Sequence, residues 1–174
     1  MKNNAYYYSM LQLIDMIDEP NRSCMRSLYE DNHELFLQAR GSTHNHQAWP
    51  GGYHDHITDG GNFAVLFYKA LVSTDRPVPF TLSSALTVFM LHDIEKPWKY
   101  QADGQGGFEV IPALRDKTAQ HEFRLKIINN YRIKLSTDEL NALKYAEGEG
   151  SDYSSTERKA GPLAGFVHMI DVCS

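Results

Sequence analysis

TLSSALTVFMLHDIEKPW, residues 81–98, is apolar enough for a protein core and yet ends on an adjacent histidine and aspartate. Leu82, Leu86 and Phe89 recur at i, i+4 and i+7, the period of a helix, and the next step along that row lands on Asp93. Ala85 and Val88 form the neighbouring row, which His92 continues. Pro97 closes the segment. A helix over 81–93 therefore carries an imidazole and a carboxylate to where its apolar face enters the core. Helix neighbours point ~100° apart, so His92 and Asp93 do not face each other. Both still reach a cation lying over the seam between their directions.

The same period extends outward in both directions. Met10, Leu13, Ile14 and Ile17 predict a helix over 6–17, stopped by Pro20, and a second runs over 23–39 to Gly41. A polar loop reaches about residue 53. A long apolar helix over 55–73 is divided from 81–93 by the breaker TDRPVPFT, residues 74–81. WKYQADGQGGFEV, residues 98–110, alternates aromatic and polar residues around glycines and predicts a short β-hairpin. Helices follow at 114–132, 137–147 and 162–172, with STDEL (136–140) supplying an N-cap and early acidic residues. The expected class is all-α, a bundle of about six or seven helices. At 174 residues the chain suffices for one domain with its own core, with the helices of 6–39 packed on a unit spanning roughly 44–172.

Hydrophobic content of 42% and charged content of 22% are those of an ordinary globular chain. A net charge of −5 argues against an extended nucleic-acid surface but not against a small phosphorylated substrate. Cys24 and Cys173 show neither metal-ligand spacing nor a disulfide framework, which suits a reducing compartment. The N-terminal segment lacks an uninterrupted apolar core of the signal-peptide kind, and no run approaches the ~18 apolar residues of a membrane span. The expectation is a cytoplasmic protein without a membrane partner.

Polar groups recur on the predicted apolar rows. His56 shares a row with Phe63, Phe67 and Ala70; His121 precedes Leu125 and Ile128. Leu140 and Leu143 lead to Glu147, and Leu163 and Val167 lead to Asp171. A buried carboxylate neutralises unless it is paired or coordinates metal. Three carboxylates and three histidines aimed at one interior are most simply reconciled by one or two cations. The alternative is structural ion pairing with Lys96, Arg115 or Lys117. Imidazole combined with carboxylate suits Mn, Fe, Zn or Ni better than an all-oxygen calcium cage. Four of the eight histidines also crowd into residues 44–56, around WPGGYHDHITDG (49–60).

GGYHDHI, then LHDIEKPW, then HMIDV resemble, in that order, the motifs of the HD-domain superfamily of metal-dependent phosphohydrolases. The family carries a His, a His-Asp doublet and a distant Asp on an all-α core, and the resemblance covers roughly residues 44–172. It implies that His56, His92, Asp93 and Asp171 hold a divalent transition metal (Mn, Fe, Ni or Zn, with Mg also admissible). Binuclear branches add two histidines. His121 stands where the first is expected and Glu147 where the second is, so the resemblance leaves one ion or two. Glu95 occupies the place of a small family residue, read either as a solvated helix-end acid or as a catalytic one.

The implied activity is hydrolysis of a phosphomonoester or phosphodiester, nucleotides included, by metal-activated water. Asp93 then holds the metal and the nucleophilic water, and Lys96 neutralises phosphate charge as a point cation. His44 and His46, in the loop before the site, offer substrate binding or protonation of a leaving group. His54 is offset about 200° from His56 on a helix and is not expected to join it. Two other readings follow from the same residues. One is a di-iron oxygenase of the myo-inositol oxygenase kind; the other is a non-catalytic regulatory or ligand-binding module that keeps the metal. The expected partner is a small phosphorylated substrate, with a homodimer left open.

Overall fold

A computed structural model describes residues 6–42, 47–75, 77–104 and 107–174. His44 and His46 lie outside the described residues. Ser9 opens α1 (Met10–Ile14) with a capping box, its hydroxyl accepting from Gln12 N and the Gln12 side chain accepting from Ser9 N. The continuous helix expected over 23–39 is two, α2 (Asn21–Asp31) and α3 (His33–Gln38). The break is Asn32, which leaves helical geometry and sends its side-chain amide to Leu28 O and the Tyr131 hydroxyl.

The long helix α4 (Gly52–Val72) packs along α5 (Leu82–Leu91), which Thr81 caps at Ser84 N. A short α6 (Lys96–Lys99) feeds the hairpin β1 (Tyr100–Ala102) and β2 (Phe108–Val110), paired antiparallel with Tyr100 opposite Val110. Then come α7 (Lys117–Asn130), capped by Asp116; α8 (Thr137–Lys144), opened by a Ser136–Glu139 capping box; and α9 (Pro162–Cys173). The protein is all-α with one short hairpin, as the periodicity predicts. One buried cluster runs from Met10 in α1 to Ile170 in α9. Among the described residues no helix is long and apolar enough to cross a membrane.

Small residues set the depth of the helix contacts. The buried face of α4 is Tyr53, His56, Ile57, Gly60, Ala64 and Val65, not the row His56, Phe63, Phe67, Ala70. Ala70 is exposed, and Phe63 and Phe67 stack on each other at 5.9 Å while only partly buried. Gly60 lets α5 approach closely on the buried face, opposite Phe89. A methyl group on Gly60 would stand 2.0 Å from Cζ of Phe89, which is wholly buried. Gly60→Ala is therefore expected to destabilise the fold by about 1–3 kcal/mol through overpacking. A urea midpoint equal to that of the parent would show that this contact can relax freely.

Candidate metal centre

Three chain segments deliver four side chains to one point. Gly51, at φ +87°, turns the preceding loop into α4, and Gly52 packs so tightly that a Cβ would lie 1.9 Å from Gln47 O. His56 follows one turn later on the buried face. Helix α5 stops at Leu91, short of the expected 93, and residues 92–95 form a turn tied by Lys96 N to Asp93 O at 2.9 Å. His92 and Asp93 meet there, with His92 Nε2 3.2 Å from Asp93 Oδ2. Asp171 arrives from the last turn of α9, its Oδ1 3.1 Å from His92 Nε2 and 3.3 Å from His56 Nε2. One ligand atom from each of His56, His92, Asp93 and Asp171 lies within 4.8 Å of the other three.

The hydrogen bonds fix which ring nitrogens point inward. Phe89 O can only accept, so His92 Nδ1 carries a proton and donates to it at 2.5 Å. The Ser174 hydroxyl donates to Asp171 O at 3.2 Å and meets His56 Nδ1 at 3.0 Å. With its single proton used on the carbonyl, that hydroxyl accepts from His56 Nδ1–H. Both rings thus present Nε2 to the carboxylates, the tautomer that metal-ligating histidines adopt when the other nitrogen is held from behind. His56 Nε2 is buried and has no hydrogen-bond partner among the described residues. Two imidazole nitrogens, one of them buried without a partner, and two carboxylates suit a divalent cation, so the cluster can hold a metal ion.

The electrostatics agree. Burial alone would push the His92 imidazole down, but Asp93 and Asp171 outweigh it and hold it up at about 10. Burial would raise the Asp93 and Asp171 carboxyls, yet His92 with Lys96 holds the first, and His92 the second, below the usual carboxylate range. A proton between His92 and its two carboxylates occupies the place a cation would take. In chelator-treated protein this stabilisation is fully present below pH ~6.5, the unfolded histidine value. It is lost as pH rises through the folded value of about 10. The expected result is a melting temperature that falls between pH 6.5 and 10 and does so less in His92→Gln; equal slopes would deny the coupling.

Lys96 Nζ contacts Asp93 Oδ2 directly, so the expected cation stands beside the cluster, also as an ion-pair partner. The structure does not bring His121 and Glu147 to the four residues. Glu147 is exposed, and Lys117 Nζ engages its carboxylate at 2.5 Å. Leu140, expected on the inward row leading to Glu147, is 45% exposed. The α8 helix ends at Lys144, so the period of that row does not carry on to Glu147. His121 and Glu147 line one open cleft of about 480 Å³, with Arg124 at its edge. His54 turns away from the cluster to the Tyr29 hydroxyl at 3.2 Å.

Glu95 is neither solvated nor in contact with the cluster. It is buried, with Oε2 3.4 Å from Nε of Arg124 on α7, itself buried. Arg124 Nη1 donates to His92 O, so one guanidinium grips the doublet's backbone and the acid two residues after it. The sequence contained a signal for Arg124: Gln120, Arg124, Ile127 and Ile128 occupy one buried face of α7. No family model, curated protein or solved structure matches the chain.

Proposed function

We propose that the protein is a metal-dependent phosphohydrolase acting on a phosphomonoester or phosphodiester, and that His56, His92, Asp93 and Asp171 hold the cation. The observation that supports this reading is the convergence of two imidazole Nε2 atoms and two carboxylates with a lysine already on one of them. A divalent cation bound there would supply hydroxide near neutral pH and polarise the phosphoryl oxygen it touches. The chain's own residues account for positioning and charge. Asp93, with one oxygen on Lys96, has a second to accept a hydrogen bond from the attacking water. Burial works against the Lys96 ammonium, but Asp93 raises its pKa, so it stays cationic and can donate to a phosphoryl oxygen. His92 and His56 are held from behind by Phe89 O and the Ser174 hydroxyl, which keeps both rings from turning.

A di-iron oxygenase would need a second ion, and the residues implied for it, His121 and Glu147, stand apart from the four-residue cluster. The experiment is an assay of protein loaded with Mn, Fe(II), Ni, Zn or Mg against a panel of phosphomonoesters, phosphodiesters and nucleotides. The expected result is phosphate release that EDTA abolishes. Oxygen uptake without phosphoester turnover would replace hydrolysis by oxidation, and a stably folded, metal-bound protein inert to the panel would favour a regulatory module.

A further inference from the structure

Between the end of α3, helix α6 and the hairpin lies a pocket of about 120 Å³. Its polar lining is Gln38, Arg40, Lys96 and Tyr100, with Phe108 forming one wall. No carboxylate lines it among the described residues. Arg40 and Lys96 both line it, Lys96 with its ammonium on Asp93, which leaves the Arg40 guanidinium as the cation not paired with a carboxylate among the lining residues.

Arg40 is held ready for a ligand. Its guanidinium lies over the Phe108 ring at 3.9 Å, and Nη1 donates to Ala48 O at 2.6 Å. These contacts fix the plane of the fork before anything binds, lowering the entropy cost of using its remaining donors. Its Nε–H is buried and donates to nothing among the described residues. Arg40 as a whole is only partly buried, and the donors of its fork beyond the one spent on Ala48 O can meet an oxyanion in the pocket.

Lys96 lines this pocket and also touches Asp93, so pocket and metal centre share one side chain. We propose that the pocket takes a second anionic group of the substrate, and that Arg40 makes the protein prefer phosphoesters carrying two anionic groups. This rests on the proposed phosphohydrolase site for the placement of the first group. The pocket is well below the ~300–1,000 Å³ that encloses a whole drug-sized ligand, which fits a single phosphate or carboxylate and not a nucleoside.

The test is calorimetric titration of the purified protein with phenyl phosphate, adenosine 3′,5′-bisphosphate and 3-phosphoglycerate. The parent should bind at least one of the two doubly anionic compounds about tenfold or more tighter than phenyl phosphate, as expected for a charge-assisted contact. Which one gains identifies the second group as phosphate or carboxylate. Arg40→Gln should erase the difference while bound metal stays unchanged. Gln38→Glu, at an exposed position that leaves packing intact, brings a negative charge to the pocket and should erase it too. Absence of the preference in the parent, or its persistence in Gln38→Glu and in folded Arg40→Gln, would overturn the proposal. An Arg40-dependent preference in a protein that hydrolyses no phosphoester would support the pocket and overturn only the proposed reaction.

Discussion

His92→Ala and Asp93→Asn are each expected to abolish stable metal binding and phosphoester hydrolysis together. Both residues are almost wholly buried, and each supplies one ligand atom to a set of four. Losing His92 removes the nitrogen that lies 3.2 Å and 3.1 Å from the two carboxylates, leaving one imidazole against two acids. Changes only to the residues behind metal ligands commonly cost ~10–100-fold in affinity, so losing a ligand itself should exceed that. Asp93→Asn keeps the side chain's shape and isolates the loss of negative charge at the metal and at Lys96. Dialysed protein should contain less than about a tenth of the parent's metal by elemental analysis, following that factor. Folding is to be confirmed by circular dichroism. Full metal occupancy in either variant would place the metal elsewhere.

Arg124→Met should be the most damaging change outside the four ligands. It strands the Glu95 carboxylate, which is 1% exposed, and frees the His92 carbonyl that Arg124 grips. Removing one partner of a buried ion pair costs about 3–5 kcal/mol, because the remaining charge stays buried without compensation. The size should depend on pH. Burial and Asp93 already raise the Glu95 pKa, with Arg124 among the groups that lower it, so the variant raises it further. An acid with a raised folded pKa destabilises the fold as pH climbs above its unfolded value of ~4.3. Arg124→Met should therefore be mildest near pH 4 and worst near pH 8, and Glu95→Gln in the same chain should recover part of the loss. Urea denaturation at the two pH values measures this. A loss below about 1 kcal/mol at pH 8, the scale of an exposed pair, would show that Glu95 is not held by Arg124.

The helices were legible because the chain repeats apolar residues at helical spacing, and the hairpin because glycines interrupt an alternating stretch. His92 and Asp93 stood out as ionisable residues at the end of a wholly apolar row. What periodicity could not show was that α5 ends at Leu91, because that end is a backbone event within an unbroken sequence pattern. The row through Leu140 to Glu147 misled for the complementary reason: α8 ends at Lys144, and Glu147 finds Lys117 at the surface. Glu95 was opaque by itself, since a lone charged residue looks like a solvated one, and the row of Gln120, Arg124, Ile127 and Ile128 marks Arg124 without naming its partner. Only their contact across α7 makes burial affordable. Arg40 lay at a predicted helix end, where cations are common, and the pocket beside it depends on the hairpin's placement.

Anomalous diffraction at the absorption edge of whichever metal the purified protein carries locates the ion. One peak is expected within ~2.0–2.3 Å of His56 Nε2, His92 Nε2 and an oxygen of each of Asp93 and Asp171. A peak at other residues, or a folded protein that takes up no divalent metal, would contradict it.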